Sequence, residues 1–135
     1  MAKISGGCSC GKARFSADAD PTFVAVCHCN ACQKSSGSAF AVIVAFPAPA
    51  LVVTCEVTTF DSKGDSGLGK HYRFCPNCGS PVYSSVDAIP DMLMVRAGSL
   101  DDPSWVKPAM EIQCDEKQRW VALGGEIKSF AKMPG

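Results

Sequence analysis

Three short cysteine clusters constrain this chain more than any other feature of its sequence. Seven of the nine cysteines fall into them, as Cys8-Ser9-Cys10, Cys27-His28-Cys29-Asn30-Ala31-Cys32 and Cys75-Pro76-Asn77-Cys78-Gly79. A tetrahedral zinc site takes four protein ligands when it is structural, and three when one position is left for water or substrate. Seven thiols therefore divide into one closed set of four and one open set of three. The clusters predict two metal sites, of which the open one is the candidate for chemistry.

The spacing inside each cluster brings its thiols together. Side chains alternate faces along an extended strand, so Cys8 and Cys10 point to the same side. Cys75 and Cys78 enclose Pro-Asn and precede Gly79, which is the composition of a tight turn whose two thiolates converge on one metal. The middle cluster combines both spacings, so its three thiolates can reach one zinc from one side.

The residues alone leave the partition of the ligands open. A zinc shared by the first and last clusters would connect the start of the chain to its centre and would stabilise the fold directly. Alternatively, His71, four residues before Cys75, could close a second site together with three cysteines. In a third arrangement the first cluster joins the middle one, and the last cluster acts as a thioredoxin-like redox pair. That arrangement needs a helix after the pair, whereas Pro81-Val82-Tyr83 indicates a strand.

The composition predicts one globular domain, residues 1–135, with frayed ends at 1–5 and 131–135. The chain has 135 residues, of which 47% are hydrophobic. The longest apolar run, Ala39–Leu51, contains two prolines and is too short to cross a bilayer. The N-terminus lacks the apolar stretch of a signal peptide, so we expect a cytoplasmic protein, in which clustered cysteines are more often metal ligands than disulfides.

The charge balance argues against nucleic-acid and membrane partners. The 13 basic residues equal the 13 acidic residues, and they form no arginine-rich arm or aromatic-interleaved basic stripe. Lys34 and His28 lie close enough in sequence to the middle cluster to balance its negative charge, although a solvated lysine and a buried histidine are the more ordinary roles.

The turn residues predict a mainly β fold with one or two short helical turns. The 12 glycines and 9 prolines are too many for a helical bundle. One helical turn is expected at Asn30–Ser35, ending before Gly37, and a mobile loop at Ser62–Gly69. Cys55 and Cys114 are expected as small buried residues in strands. The expected strands are Lys12–Ala17, Phe23–Cys27, Ala39–Val44, Leu51–Thr54, Val57–Asp61, His71–Phe74, Pro81–Ser85, Met92–Ala97 and Met110–Cys114.

The three clusters, in this order, closely resemble the glutathione-dependent formaldehyde-activating enzyme family, whose domain the centromere-protein-V-like proteins share. The resemblance runs from Gly6 to about Trp120. It implies a β-tent of packed antiparallel sheets stapled by two zinc ions. Residues that match Cys8, Cys10, Cys75 and Cys78 would hold a structural zinc, and residues that match Cys27, Cys29 and Cys32 would hold a second, open one.

The resemblance also implies a reaction. The family's named activity joins glutathione to formaldehyde to give S-(hydroxymethyl)glutathione, which is a carbon–sulfur lyase reaction in the reverse sense. The expected substrates are therefore a small thiol such as glutathione and an aldehyde, with the open zinc holding the thiolate or polarising the aldehyde oxygen. The nearest candidates to contact the thiol ligand are Gln33, Lys34, Ser36 and Gly37. In one departure, this chain has Glu111 where relatives carry a histidine.

A second hypothesis comes from a different functional class. Both zinc ions could be structural, in which case the chain would be a zinc-stapled module that binds a protein partner and catalyses nothing. The two hypotheses differ in whether the middle cluster is needed for turnover or only for the fold.

Overall fold

The computed structural model describes residues 4–64 and 67–134 and is mainly β, with packed sheets and few helices, as the sequence predicted. One α-helix, α1 (Asn30–Ser36), and three short 3-10 turns, at Ala48–Ala50, Ala97–Ser99 and Cys114–Glu116, occur in these residues. The strands are β1 (Ile4–Gly7), β2 (Arg14–Ala17), β3 (Phe23–Cys27), β4 (Ala41–Pro47), β5 (Leu51–Thr54), β6 (Thr58–Lys63), β7 (Gly69–Phe74), β8 (Pro81–Val86), β9 (Met92–Arg96), β10 (Met110–Ile112) and β11 (Lys128–Ser129).

The strands form a small sheet and a large one. The small sheet has the order β1-β2-β5 and is antiparallel, and the large sheet has the order β11-β10-β3-β4-β9-β8-β7-β6. One strand departs from the expected antiparallel pairing, because β10 lies parallel to both β3 and β11. The connection over residues 97–109 is long enough to carry the chain back before β10 begins, which a parallel neighbour requires.

The main core lies between the two sheets. Side chains alternate along β4, so its even-numbered residues Val44 and Phe46, both fully buried, face this core. There they join Phe15 from the small sheet and Val95 from β9. The β-branched and aromatic character of these strands supplies the apolar face that the two sheets bury against each other.

The opposite face of the large sheet carries the middle cysteine cluster. The odd-numbered residues Ala41 and Ile43 of β4 pack with Cys27, and Ile112 of β10 joins the same small apolar group. Because Ala41 is the register partner of Cys27, this cysteine lies on the face that the small sheet does not cover.

Both expected frayed ends are partly ordered. Ile4 and Ser5 pair with β2, and the carbonyl of Lys132 accepts a hydrogen bond from the Gln113 N–H at 2.9 Å. Residues 1–3 and 135 of those ends lie outside the described residues. Strands β1 and β11 were not expected, because the first is rich in glycine and the second has only two residues.

The helical turn is confirmed, with Gly37 just past its end in the left-handed conformation at φ +64°. The strands extend further into the expected loop than predicted, to Lys63 and from Gly69, while residues 65–66 lie outside the described ones. Cys55 is exposed and has a φ of +89°, and the half-buried Cys114 begins a 3-10 turn. The expectation that these two cysteines are buried in strands was therefore wrong, because both occupy turns. No helix in the described part of the chain is long and apolar enough to cross a bilayer.

Candidate metal centres and the adjoining cleft

The first and last cysteine clusters meet in space. The sulfurs of Cys8, Cys10, Cys75 and Cys78 all lie within 4.8 Å of one another, and we call this group the four-sulfur cluster. The Cys10 sulfur lies 3.6 Å from that of Cys8 and 3.7 Å from that of Cys75. The cluster connects the β1–β2 turn of the small sheet to the β7–β8 turn of the large one.

Two tight turns present these sulfurs. After β1, the N–H of Cys8 donates to the carbonyl of Ala13 at 3.0 Å, which closes the first turn. After β7, the N–H of Gly79 donates to the carbonyl of Cys75 at 2.8 Å. Gly79 has a φ of +77°, a conformation that glycine adopts without the steric cost of a Cβ. The local sequence therefore folds each pair of thiols into a turn that converges on the same point.

Backbone and hydroxyl donors tune the thiols of the four-sulfur cluster. The Ala13 N–H lies 3.2 Å from the Cys8 sulfur and lowers the pKa of that thiol. The Ser80 hydroxyl, 3.3 Å from the Cys78 sulfur, lowers the pKa of Cys78 to about 5. The Cys78 N–H favours the thiolate of Cys75, but burial and its neighbouring thiols raise the pKa of Cys75 to about 11. Without a cation, the four thiols cannot all ionise together.

The middle cluster forms a second group, which we call the three-sulfur cluster. The sulfurs of Cys27, Cys29 and Cys32 lie within 4.8 Å of one another, and these residues are only 5%, 7% and 5% exposed. Cys27 comes from the end of β3, and Cys29 caps the N-terminus of α1, where its sulfur accepts the Cys32 N–H at 3.3 Å. Among residues 4–64 and 67–134, no fourth Cys, His, Asp or Glu ligand atom joins this group.

The three thiols of this cluster shift one another's pKa values. The Cys27 thiol lies 3.4 Å from the Cys29 sulfur, and its hydrogen bond lowers the pKa of Cys29 to about 2. The same interaction raises the pKa of Cys27 to about 11, and the hydrogen bond to Cys27 raises the pKa of Cys32. Only a nearby cation would stabilise three thiolates at this spacing.

The donor atoms of both clusters fit a metal ion. A tetrahedral zinc with Zn–S bonds of about 2.3 Å places its sulfurs about 3.8 Å apart. The measured sulfur–sulfur distances of 3.4, 3.6 and 3.7 Å are close to that value before any metal draws the thiolates into place. Both clusters could therefore hold a metal ion.

His71 belongs to neither cluster. Its Nδ1 lies 2.6 Å from a carboxylate oxygen of Asp61, and its Nε2 lies 2.9 Å from one of Asp87. The arrangement that the sequence left open, with His71 as a metal ligand, therefore does not match the geometry, which groups the seven sulfurs as four and three.

A buried polar network surrounds His28, which lies between two ligands of the three-sulfur cluster in the sequence. His28 is fully buried, and its Nε2 lies 2.8 Å from a carboxylate oxygen of Glu111. The Ser129 hydroxyl donates to the other oxygen of Glu111 at 2.6 Å, and the Lys117 ammonium lies 3.0 Å from the first. Burial alone would raise the pKa of Glu111, but these three partners lower it to about 2. Glu111, the departure noted in the sequence, therefore secures His28 and does not line the cleft described below.

Two of the predicted ligand contacts serve the helix itself. The Gln33 amide donates to the carbonyls of His28 at 2.7 Å and Glu116 at 3.0 Å. The Ser36 hydroxyl donates to the carbonyl of Cys32 at 2.7 Å. Both side chains thus fix α1 against its surroundings, and Gly37 ends the helix.

A cleft of about 480 Å³ lies between α1 and the β6–β9 part of the large sheet, and we call it the basic cleft. Among the residues that the structure describes, its lining contains three cations and no carboxylate. Lys34 is the one predicted ligand contact that lines it; the cysteines do not, although Ala31, the neighbour of Cys32, does. The lining residues are Ala31, Lys34, Ser35, Phe60, Ser62, Tyr72, Arg73, Phe74, Gly79, Pro81, Tyr83, Ser84, Met94 and Arg96.

Sequence reasoning missed the cleft residues from the strands. Arg96 lies on the same face of β9 as Met94, and the register partner of Arg96 is Ile43 on the cluster face of β4. The charged residue in an otherwise apolar strand was the available signal. Its meaning depended on the strand order, which the sequence did not provide.

Comparison with known proteins identifies the family to which the chain belongs. The family model described as glutathione-dependent formaldehyde-activating enzyme matches residues 3–116. The chain belongs to this family. Membership in the glutathione-dependent formaldehyde-activating enzyme family supports a function related to glutathione or formaldehyde. No curated protein matches the chain.

A solved structure shows the same fold. The crystal structure of a Rhodobacter sphaeroides protein superposes with a TM-score of 0.59 at 19% sequence identity. The match covers 77% of this chain and 91% of the other. At this identity the similarity concerns the fold alone.

Proposed function

We propose that this protein is a zinc-dependent carbon–sulfur lyase of the S-(hydroxymethyl)glutathione synthase type, acting on a small thiol and an aldehyde. The observation that carries the proposal is the three-sulfur cluster, whose ligand set stops at three in the described residues and whose helix α1 borders the basic cleft. Family membership supports the same class of reaction.

The two clusters have different roles in this proposal. The four-sulfur cluster would hold a structural zinc, because its four ligands suffice for a tetrahedral site and connect the two sheets. Cys27, Cys29 and Cys32 would hold the working zinc, and a set of three ligands would leave room for water or substrate. We therefore expect two zinc ions per chain.

In the proposed reaction, the thiol sulfur bonds to the aldehyde carbon, and the thiol proton ends on the new hydroxyl group. A zinc ion in the three-sulfur cluster would favour the thiolate or polarise the aldehyde oxygen. Lys34 and Arg96 provide positive charge along the cleft, and Tyr72 and Phe60 contribute aromatic surface to its lining. These residues bind the thiol compound and hold its sulfur next to α1, so that the two reactants meet in one orientation.

One observation favours the second candidate, a protein-binding module with two structural zincs. All three sulfurs of the three-sulfur cluster belong to residues that are less than a tenth exposed, as ligands of a structural site usually are. In that case the middle cluster would stabilise the fold and would have no turnover to support.

Exchange spectroscopy of glutathione and formaldehyde, with and without the protein, separates these candidates. We expect the protein to accelerate exchange between free glutathione and its hydroxymethyl adduct above the uncatalysed rate, and Cys29→Ser to remove the acceleration. Far-ultraviolet circular dichroism of Cys29→Ser is the control for folding. No acceleration at high concentrations of zinc-loaded protein would reject the named reaction.

A further inference from the structure

The basic cleft is lined by an excess of positive charge in the described part of the chain. Lys34, Arg73 and Arg96 line it, and no aspartate or glutamate among residues 4–64 and 67–134 does. In residues 4–64 and 67–134, none of these three cations forms an ion pair with a carboxylate. The whole chain has equal numbers of acidic and basic residues, so this local excess reflects their placement.

One of the three cations, Arg73, contacts two side chains of β8. The Arg73 guanidinium lies 4.8 Å from the centre of the Tyr83 ring and donates to the Ser85 hydroxyl at 2.8 Å. Lys34 is exposed on the last turn of α1, and in the described structure its ammonium group has no carboxylate partner. Lys34 and Arg96 are therefore the cations available to a ligand.

Arg96 is held in a fixed position beside the three-sulfur cluster. Its Nη2 donates to the Ser35 hydroxyl at 2.8 Å, and that hydroxyl lies 3.3 Å from the carbonyl of Cys32. Its Nη1 is buried and has no hydrogen-bond partner in the described structure. A buried guanidinium N–H without an acceptor is costly, so an oxygen that reaches it gains a charge-assisted hydrogen bond.

A further cation, Lys70 of β7, lies near the three-sulfur cluster. Burial alone would lower the pKa of its half-buried ammonium group, but the nearby Cys29 and Tyr72 raise it. Its register partner on β6 is Ser62, which lines the cleft. Lys70 contributes positive charge near Cys29, whereas Arg96 and Lys34 line the cleft itself.

We propose that the basic cleft is a carboxylate-binding subsite, anchored by Arg96 and assisted by Lys34, which selects thiols that carry a carboxylate over neutral thiols. This inference rests on the proposed function for the identity of the ligand as a thiol. The guanidinium group matches a carboxylate in geometry, and its attachment to Ser35 places the anchor next to the backbone of a cluster residue.

Binding of an unreactive compound tests the subsite without any turnover. S-Methylglutathione has no free thiol and keeps both carboxylates, and its dimethyl ester has neither. We expect isothermal titration calorimetry on the zinc-loaded protein to show binding of the acid and roughly tenfold or weaker binding of the ester. Equal affinity for the two compounds, or binding of neither, would overturn the subsite.

The variants Arg96→Gln and Lys34→Gln locate the anchor. Each should weaken binding of S-methylglutathione roughly tenfold, while affinity for the ester stays the same. The control is Lys107→Gln, which removes the same charge from an exposed position outside the cleft and should bind as the wild type does. Because Arg96 also holds Ser35, the exposed Lys34 gives the independent result if Arg96→Gln fails to fold. Unchanged binding by Lys34→Gln and by a folded Arg96→Gln would contradict the assignment.

Experiments with reactive thiols distinguish a failure of this inference from a failure of the proposed function. If exchange with formaldehyde is accelerated equally for 3-mercaptopropionate and 2-mercaptoethanol, the reaction stands and the subsite is wrong. If S-methylglutathione binds with the expected charge dependence but no thiol exchanges faster, the subsite stands and the proposed reaction is wrong.

Discussion

At the scale of single residues, the two clusters differ in how their ligands meet solvent. Cys8 and Cys75 are 8% and 1% exposed, but Cys10 and Cys78 are exposed, so the four-sulfur cluster has one side against the core and one side in water. The three-sulfur cluster has only buried ligands. The loss of one cysteine ligand should therefore affect the fold differently in the two clusters.

Serine substitutions should separate the roles of the clusters. We expect Cys75→Ser to unfold the protein, because it removes a core-facing ligand of the site that connects the sheets. Cys29→Ser should leave the fold largely intact and reduce the metal content from about two zinc ions per chain to about one. Elemental analysis and circular dichroism measure both outcomes, and global unfolding of Cys29→Ser would favour two structural sites.

Gly6 is a second residue of interest, because a single added carbon atom would disrupt the packing around it. A Cβ on Gly6 would lie 2.2 Å from the Ser99 carbonyl oxygen and 2.5 Å from the Phe15 ring, where β1 pairs with Leu100. We expect Gly6→Ala to destabilise the protein by about 3 kcal/mol in denaturant unfolding, since backbone cannot move aside cheaply. The control is Gly98→Ala, which has open space around it and should change stability by less than about 0.5 kcal/mol.

At the scale of elements, His71 connects three strands of the large sheet. It stands on β7 between Asp61 of β6 and Asp87, which follows β8, and hydrogen bonds to both carboxylates raise the pKa of the imidazole. A group whose pKa is raised on folding stabilises the fold below its unfolded pKa of about 6.5, and the effect is lost as the pH rises through the folded value.

His71→Asn should remove this pH dependence. We expect the free energy of unfolding of the wild type to fall, relative to that of the variant, as the pH rises from about 6.5 through the raised pKa. Urea titrations at several pH values measure the difference. Asp91→Asn, at an exposed carboxyl outside this group, should follow the wild type. If the free energy of unfolding of the wild type, relative to that of the variant, instead increased with pH, the assignment of a protonated His71 would be contradicted.

Elements whose contacts are local could be predicted, and those that depend on distant pairing could not. The helix after Cys29 follows from its compact polar segment and from Gly37 just past its end, and the central strands follow from their β-branched residues. The short β11 exists only because β10 provides a neighbour, and the parallel direction of β10 depends on the route of residues 97–109.

The candidate site was predictable to a similar extent. The spacing within each cluster showed which thiols converge, because that geometry is local. The partition into four and three depends on which strand ends meet, and so does the position of Arg96. Gln33 and Ser36 are close to the cluster in sequence, but their side chains bond to the backbone around α1. For Gln33, this arrangement also involves the C-terminal segment, through the carbonyl of Glu116.

At the scale of the whole molecule, the two proposed zinc sites should respond differently to chelation. We expect a strong chelator to remove the zinc of the three-sulfur cluster first, with little change in circular dichroism, because this site has one protein ligand fewer. Removal of the second zinc should unfold the protein. Metal release monitored with a coloured indicator alongside circular dichroism tests this order, and simultaneous loss of both ions with unfolding would argue against it.

The four-sulfur cluster also has a consequence for biosynthesis. Cys8 and Cys10 leave the ribosome long before Cys75 and Cys78, and the middle cluster emerges between them. A nascent chain therefore presents six thiols, five of them from the first two clusters, before the native set of four exists, and a zinc captured by Cys8 or Cys10 at that stage is held by an incorrect combination. Correct assembly of the four-sulfur cluster must then depend on ligand exchange after the β7–β8 turn appears. The native arrangement of its thiols therefore depends on the order in which they are synthesised as well as on their positions in the fold.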